Sequence, residues 1–254
     1  DRTKSRGLGD VYKRQDLERQ GDTLQETLIN VGPAWVTQSL TGSYGPMVHP
    51  VAACATALVS LNCGVDLIQQ GKADFVVSGG YDDYSEEGVI GFQDMAATCE
   101  TEDMLAKGFE PRTMSRPNDT RRGGFVEAQG GGTLLLTRLD KAIENGLPIY
   151  ATLGLTGTYS DGVHTSIPAP GLGILGVIKK NEEAGDSPLG AALKHHGLTA
   201  DDITVVSKHD TSTNANDPNE NKLHHTIQES LGRTKGNPLY VHSQKSILGH
   251  AKGG

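Results

Sequence analysis

The stretch HPVAACATALVS, His49–Ser60, places one cysteine among small residues where apolar sequence passes into a helical pattern. Cysteine is among the most buried residue types, so a small buried side chain is the simpler interpretation of Cys54. The alternative is a nucleophile on a strand-to-helix turn, where the N–H groups that begin a helix lower the pKa of a thiol. The flanking alanines would let a substrate approach the sulfur. The rest of the chain has to decide between these two interpretations.

Apolar runs and helical patterns alternate along the chain. The runs that predict strands are continuous, at 73–78, 131–137, 148–157, 203–207 and 239–243. The periodicity predicts helices over 57–71, 85–98, 138–145, 187–196 and 217–231, the last with Asp217 as its N-cap, and a polar loop from 99 to about 122. Continuous apolar strands between helices are typical of a mostly parallel sheet covered on both faces. The strand–helix–strand order near 47–79 and again near 203–243 allows two related halves.

Composition excludes several classes of protein. The net charge of −8 argues against binding to nucleic acid through overall charge. No apolar run approaches the roughly 18 to 20 residues that span a bilayer, so no membrane insertion is expected. Three cysteines without a CxxC pair predict neither a disulfide framework nor a zinc site, and they favour a cytoplasmic compartment. No HExxH spacing predicts a metal site.

The first fifteen residues, DRTKSRGLGDVYKRQ, differ in character from the remainder of the chain. They carry five basic and two acidic residues and have no initiator Met, signal-peptide core or helical periodicity. The string GLGDVYKRQ resembles translated sequencing-adapter sequence. We therefore interpret residues 1–15 as a non-native segment and assign them no part of the fold.

Two histidines follow predicted strands. His209 lies in KHDTSTNANDPNE (208–220), and His250 lies in QKSILGHAKGG (244–254). Each alone is more simply a loop histidine. However, side chains at the carboxyl ends of neighbouring strands can meet at one edge of an α/β sheet. A histidine placed there beside Cys54 could deprotonate the thiol or donate a hydrogen bond to a developing oxyanion.

Together these three segments resemble the nucleophile, first-histidine and lysine/second-histidine motifs of the β-ketoacyl-acyl carrier protein synthases. The segments GGYDD (79–83), RRGGFVEAQGGG (121–132) and SIPAPG (166–171) are also similar. They point to the ketosynthase domain of the very large type I fatty acid synthases, particularly the actinobacterial kind and its fungal relatives. The resemblance runs from about Gln25 to Gly254, with the motifs in the family's order.

The resemblance implies a fold and a division of the chain. The family has the thiolase-like α/β fold, a layered α/β/α/β/α architecture with two pseudo-repeated halves, here expected to be truncated at both ends. Residues 16–147 would form part of the N-terminal half, which carries the nucleophile. Residues 148–254 would form part of the C-terminal half, which carries both catalytic histidines. Such a truncated fold is expected to expose sheet edges and apolar surface.

The resemblance also implies a reaction, the decarboxylative Claisen condensation of fatty acid biosynthesis. Cys54 would take an acyl chain as a thioester, and its backbone N–H would form part of an oxyanion hole. His209 and His250 would hydrogen-bond the malonyl thioester oxygen and stabilise the enolate that remains when carbon dioxide leaves. That enolate would attack the acyl carbonyl on Cys54.

Four further residues match family positions. Lys245 would support the histidines electrostatically, and Glu220 would belong to the same network. Thr211 and Thr213 would contact the pantetheine arm of the substrate, since hydroxyl groups can bond its amides. Asp210 stands where many relatives have glycine, and the resemblance assigns it no role.

The implied cofactors and partners come from the same family. No cofactor or metal would bind directly, because the substrates arrive on the phosphopantetheine of an acyl carrier protein domain. Other fatty acid synthase domains would share the polypeptide, and the ketosynthase would be a homodimer within a larger oligomer. Alternatives are a polyketide-type ketosynthase, a non-decarboxylating thiolase-like acyltransferase, and a partner subunit without a nucleophile. The two histidine motifs and Cys54 favour the condensing enzyme.

Overall fold

The computed structural model describes residues 28–42, 45–163, 169–183 and 185–253. The predicted non-native segment 1–15 lies outside the described residues. The chain divides into two compact units, Asp1–Pro50 and Val51–Gly254. In the first unit, helix α1 (Val31–Val36) continues as a π-helical turn, Thr37–Thr41.

Helices and strands alternate in the second unit. The helices are α2 (Thr56–Gln69), α3 (Glu86–Asp94), α4 (Thr101–Ala106), α5 (Leu139–Glu144), α6 (Pro188–His195), α7 (Asn216–Ser230) and α8 (Lys245–Leu248). The strands are β1 (Phe75–Asp82), β2 (Gly130–Thr137), β3 (Val205–Ser207) and β4 (Tyr240–His242). Short 3₁₀ turns occupy Ala53–Ala55, Pro111–Thr113, Gly173–Ile178 and Ala200–Asp202. The predicted order of helices and strands is therefore largely confirmed.

Strand direction differs from the prediction. β3 and β4 pair in parallel, with Val205 opposite Tyr240. β1 and β2 instead pair antiparallel, with Phe75 opposite Thr137. The expectation of a mostly parallel sheet is wrong for this pair, because a continuous apolar run indicates burial but carries no information on direction. The connection between β1 and β2 is long enough to return the chain either way.

Helix α2 packs closely on the β1–β2 pair because Gly64 faces it. A Cβ at Gly64 would lie 2.8 Å from Cδ1 of Leu136 and 3.3 Å from Cγ1 of Val76, so a larger residue would require these side chains to shift. The Ser60 hydroxyl accepts the N–H of Gly79 at 3.2 Å and lies 3.1 Å from the Ser78 hydroxyl. These contacts fix the start of α2 beside the carboxyl end of β1.

Three local predictions are wrong. Residues 148–157 form no strand, because an extended apolar segment needs a hydrogen-bonded neighbour to become one. The predicted polar loop after α3 contains α4 and a 3₁₀ turn. Asp217 is not the N-cap of α7, since Ala215 occupies that position. The buried Asp217 carboxylate accepts the backbone N–H groups of Ser212 at 3.1 Å and Asn118 at 2.9 Å.

Many large apolar side chains are exposed. They include Val77 of β1 and Leu134 and Leu135 of β2. Among the described residues, few apolar side chains are buried, and they include Met104, Met114 and Phe125. Within the described ranges, no helix has both the length and the apolar character needed to cross a membrane.

Candidate active site

A strained turn presents Cys54 at the start of α2. Ala53 has φ 47°, a left-handed conformation that is uncommon for a residue with a Cβ. The Thr56 hydroxyl stabilises this turn, because it accepts the N–H of Ala52 at 2.9 Å and donates to the carbonyl of Ala53 at 2.7 Å. Cys54 is exposed, so the interpretation as a small buried residue is wrong. The turn presents the Cys54 side chain at the start of α2.

His250 contacts the sulfur of Cys54. Its Nε2 lies 3.2 Å from Sγ. The backbone of His250 is held like a strand residue, since its N–H donates to the carbonyl of Val126 at 2.8 Å and its carbonyl accepts from Ala128 at 3.2 Å. The edge of the Phe125 ring packs against the imidazole, with ring centroids 5.0 Å apart and planes at 90°. His250 is therefore buried, and two backbone hydrogen bonds and the ring of Phe125 fix its position.

His209 completes the group from the end of β3. Its ring lies 5.3 Å from that of His250, with an interplanar angle of 84°. Nδ1 of His209 lies 3.3 Å from Nζ of Lys245, which is the first residue of α8. The ligand atoms of Cys54, His209 and His250 all lie within 4.8 Å of one another. The structure thus brings together the cysteine, both histidines and the lysine that the sequence singled out.

Glu220 supports this group through the backbone. Its carboxylate accepts the N–H groups of His209 and Asp210, each at 2.7 Å, and the side-chain amide of Asn216 at 3.1 Å. Burial alone would raise the pKa of Glu220, but these bonds and His224 outweigh it and lower the pKa to about 2. Glu220 is therefore ionised and holds the loop on which His209 lies.

The two threonines bond to each other. The hydroxyls of Thr211 and Thr213 lie 2.9 Å apart, and that of Thr213 accepts the N–H of Asn216 at 3.1 Å. Thr211 is buried, whereas Thr213 is half-buried. Their contact with a pantetheine arm stays a prediction.

The electrostatics of the thiol differ from the sequence prediction. Although Cys54 is exposed as a residue, its thiol is partly desolvated beside His250, and this desolvation raises the pKa of the thiol above its ordinary value of 9.0. The charge of Lys245 and the backbone N–H of Cys54 oppose that rise without reversing it. The predicted lowering by the helix start is therefore wrong, because the loss of solvent outweighs it.

Both histidines are neutral at physiological pH. Burial, followed by the nearby positive charge of Lys245, lowers the pKa of His209 and lowers that of His250 to about 3. Burial also lowers the pKa of Lys245, which the neighbouring Cys54 and Glu220 partly offset. The resting site therefore holds a thiol and two neutral imidazoles beside a lysine ammonium.

The same donor set has the types that bind zinc. One cysteine sulfur and two imidazole nitrogens are ligands that Zn²⁺ prefers. The ammonium of Lys245 beside His209 opposes a cation at this position.

Sequence reasoning misses several residues around the site. The sequence indicates a solvated loop at Asp82, yet its Oδ2 accepts the N–H of Gly253 at 3.1 Å and its charge raises the pKa of Cys54. Asp82 is the last residue of β1 and lies at the edge of the sheet beside Cys54. That position is the sequence signal that could have identified it. Phe125 packs against His250, but nothing in its sequence position indicates a place in the site. His242 in β4 is exposed, and Cys63 and Cys99 are half-buried.

Two family models match the chain in succession. The N-terminal domain model of β-ketoacyl synthases matches residues 5–142, and the C-terminal domain model matches residues 150–254. The chain belongs to the β-ketoacyl synthase family. Its Cys–His–His group has the composition that the sequence motifs predicted for that family.

Relatives of this family member include two fungal fatty acid synthases. Fatty acid synthase alpha subunit stcJ of Emericella nidulans is 46% identical over 237 residues, which cover 93% of this chain and 15% of that protein. Fatty acid synthase 2 of Mycosarcoma maydis is 41% identical over 251 residues, which cover 98% of this chain and 7% of that protein. The family member described here thus spans a small part of the relatives it matches.

Solved β-ketoacyl synthases share the fold. One from Burkholderia phymatum aligns with a TM-score of 0.65 at 24% identity, over 94% of this chain and 54% of that one. The ketosynthase of a type II polyketide synthase, solved with its acyl-carrier protein, aligns with a TM-score of 0.68 at 22% identity, over 91% and 52%. The predicted thiolase-like α/β fold is confirmed.

Proposed function

We propose that this chain is the condensing part of a type I fatty acid synthase and lengthens an acyl chain by decarboxylative Claisen condensation. The observation that carries the proposal is the contact of Cys54 with the buried, neutral His250, beside the half-buried, neutral His209, in a β-ketoacyl synthase. The strong similarity to fatty acid synthase subunits supports the fatty acyl substrate class over a polyketide intermediate.

In the first half-reaction the sulfur of Cys54 attacks the carbonyl of a carrier-bound acyl thioester. The new S–C bond forms as the carrier's phosphopantetheine thiolate leaves and takes up the proton that Cys54 loses. Lys245 supports this step, because its charge opposes the effect of burial on the thiol. The backbone N–H of Cys54 would donate to the developing oxyanion.

The second half-reaction needs two hydrogen-bond donors at the malonyl thioester oxygen. The ammonium of Lys245 can only donate, so Nδ1 of His209 must accept and the ring proton must lie on Nε2. Nε2 of His250 no longer faces a thiol proton once Cys54 is acylated. The two imidazoles would then stabilise the enolate as the bond to the carboxylate breaks and carbon dioxide leaves. The enolate carbon bonds to the acyl carbon, and the Cys54 thiolate leaves.

The nature of the substrates identifies the partners. An acyl carrier domain would deliver both thioesters on its phosphopantetheine arm, with Thr211 and Thr213 as contacts. We further propose that the chain acts beside other fatty acid synthase domains, as a dimer within a larger cytoplasmic assembly. The relatives' names support the fatty acid synthase context.

The test uses the full polypeptide that the gene encodes. Iodoacetamide should alkylate Cys54 and abolish condensation, while the alkylated protein still releases carbon dioxide from a malonyl thioester. His209→Ala and His250→Ala should lose that release, whereas Cys63→Ala, outside the site, should retain both activities. Absence of carbon dioxide release from native and alkylated protein alike would refute the proposal.

A further inference from the structure

We propose that Asp210 is a positioning residue for His209 and acts through a buried ion pair with Lys208 and a hydrogen bond from Ser243. This inference rests on the proposed function, because it concerns the half-reaction that needs His209. The carboxylate of Asp210 bonds to other side chains rather than to the imidazole of His209 or to Cys54. Its effect would therefore pass through the backbone.

The ion pair is buried, and further hydrogen bonds reach both of its partners. The side chain of Lys208 is 1% exposed and that of Asp210 is 0% exposed. Nζ of Lys208 donates to Oδ1 of Asp210 and to the amide oxygen of Asn221 at 2.6 Å. Oδ2 of Asp210 accepts from Ser243 and from the amide of Asn118 at 2.9 Å. Burying two charges costs solvation free energy, and further hydrogen bonds to both partners offset part of that cost. The positions of Lys208 and Asp210 therefore depend on these bonds.

The two residues of the ion pair flank His209 in the sequence, and the backbone of each is held by a hydrogen bond. Lys208 precedes His209 and its N–H donates to the carbonyl of His242 at 2.9 Å, which attaches it to the end of β4. Asp210 follows His209 in a left-handed conformation, φ 33°. Glu220 accepts the N–H groups of both His209 and Asp210. With its two neighbours held in this way, the backbone of His209 has little freedom to turn.

The bond from Ser243 extends this control to Lys245. Ser243 lies at the end of β4, and its carbonyl accepts the N–H of Ser246 at 3.2 Å at the start of α8. The Ser243 hydroxyl donates to Asp210, so the loop that carries His209 is tied to the segment that carries Lys245. The distance of 3.3 Å between Nζ of Lys245 and Nδ1 of His209 depends on that tie. Asp210 would thereby fix the tautomer of His209 as well as its place.

None of these contacts involves the turn that carries Cys54. That turn is held by Thr56 and by the packing of α2 on β1. The two half-reactions should therefore respond differently to loss of Asp210. Decarboxylation, which needs a hydrogen bond from His209, should slow. Acylation of Cys54 should change little, because Lys245 acts on the thiol through its charge, which a small displacement preserves.

The experiment measures both half-reactions in the full polypeptide carrying Asp210→Asn. Single-turnover release of carbon dioxide from a malonyl thioester, by protein alkylated on Cys54, should fall by about 10- to 100-fold, the range that a small misplacement of a reacting group produces. Single-turnover acylation of Cys54 should change by less than about threefold, since the geometry of its turn is preserved. Asp140→Asn is the control, because it removes one partner of an exposed ion pair with Arg138 and should leave both rates unchanged.

Equal losses in both half-reactions, or no loss of carbon dioxide release, would overturn the inference. If Asp210→Asn does not fold, Ser243→Ala removes one hydrogen bond of the same link and is judged by the same two rates. Failure of the proposed function is distinct, since the unsubstituted polypeptide would then release no carbon dioxide at all.

Discussion

Nε2 of His250 lies 3.2 Å from Sγ of Cys54, across a sequence separation of 196 residues. The pKa of that histidine is lowered to about 3 by burial and by Lys245, and burial raises the pKa of the thiol. The pair is therefore a thiol beside a neutral imidazole at neutral pH. It differs from the thiolate–imidazolium pair of a cysteine protease, in which the histidine holds the proton.

Alkylation of Cys54 by iodoacetamide should accelerate steadily with pH. The thiolate is the reactive form, so the rate should rise about tenfold per pH unit while the thiol is mostly protonated. Because the pKa of Cys54 lies above 9.0, the rise should continue to at least that pH. Mass spectrometry of the peptide that contains Cys54, with the Cys63 peptide as reference, follows the rate. A plateau near pH 7 would contradict the neutral pair.

Lys245→Met should change the pH dependence of both half-reactions. Lys245 lowers the pKa of Cys54 and that of His209, so its removal should raise both. Alkylation at a fixed pH should become slower, and the acid limb of decarboxylation should move to higher pH. Lys141→Met, which removes the half-buried partner of the exposed Glu144, is the control and should shift neither profile. Unshifted profiles in Lys245→Met would show that this charge does not act on the site.

Glu220→Gln should destabilise the region around His209. The pKa of Glu220 is lowered from 4.5 to about 2, so the folded state favours its ionised form. That preference contributes about 3 kcal/mol above pH 4.5 and is lost as the pH falls from 4.5 towards 2. Hydrogen exchange in the peptides of α7 at pH 7 should therefore be faster in Glu220→Gln. The same substitution at the exposed Glu229 of α7 should have no effect, and equal exchange in the two variants would be the contrary result.

The ion pair of Glu127 and Lys252 provides a test of how His250 is held. Glu127 lies opposite His250 in an isolated parallel bridge, and its Oε2 accepts from Nζ of Lys252 at 2.8 Å. The Glu127 side chain is only 8% exposed, so Lys252→Met leaves a buried charge without its partner. That change should cost about 3–5 kcal/mol in local stability.

The double variant Glu127→Gln/Lys252→Met removes both charges and should recover most of that loss. Hydrogen exchange near Val126 measures the effect in each variant. If the single and double variants exchange at the same rate, the pair does not stabilise the segment that carries His250. Lys107→Met, in an exposed pair with Asp103, controls for loss of a lysine.

The grouping of Cys54, His209 and His250 was largely predictable because each lies in a local motif. A cysteine among alanines before a helix, and histidines just past apolar runs, mark the ends of strands whatever the path of the chain between them. Helix periodicity likewise placed α2 and α7 within a few residues of their observed bounds. Local sequence was sufficient to predict the features that depend on the spacing of residues within one segment.

Other features depend on contacts between distant segments, which no local pattern shows. Asp210 receives bonds from Asn118 and Ser243, 92 and 33 residues away, and its burial could not be inferred from its own segment. The direction of β2 and the missing strand at 148–157 depend on which neighbour pairs with each segment. The raised pKa of Cys54 depends on desolvation of its thiol, a property of the folded site alone.

The central claim is that Cys54 holds the growing chain while the two histidines generate the nucleophile. The most direct measurement incubates the full polypeptide with a carrier-bound acyl thioester, maps the acyl group by peptide mass spectrometry, and then adds carrier-bound malonate. We expect the acyl group on Cys54 and its conversion, with release of carbon dioxide, into a β-ketoacyl product longer by two carbons. An acyl group on Cys63 or Cys99, or one that stays on Cys54 without forming product, would contradict the claim.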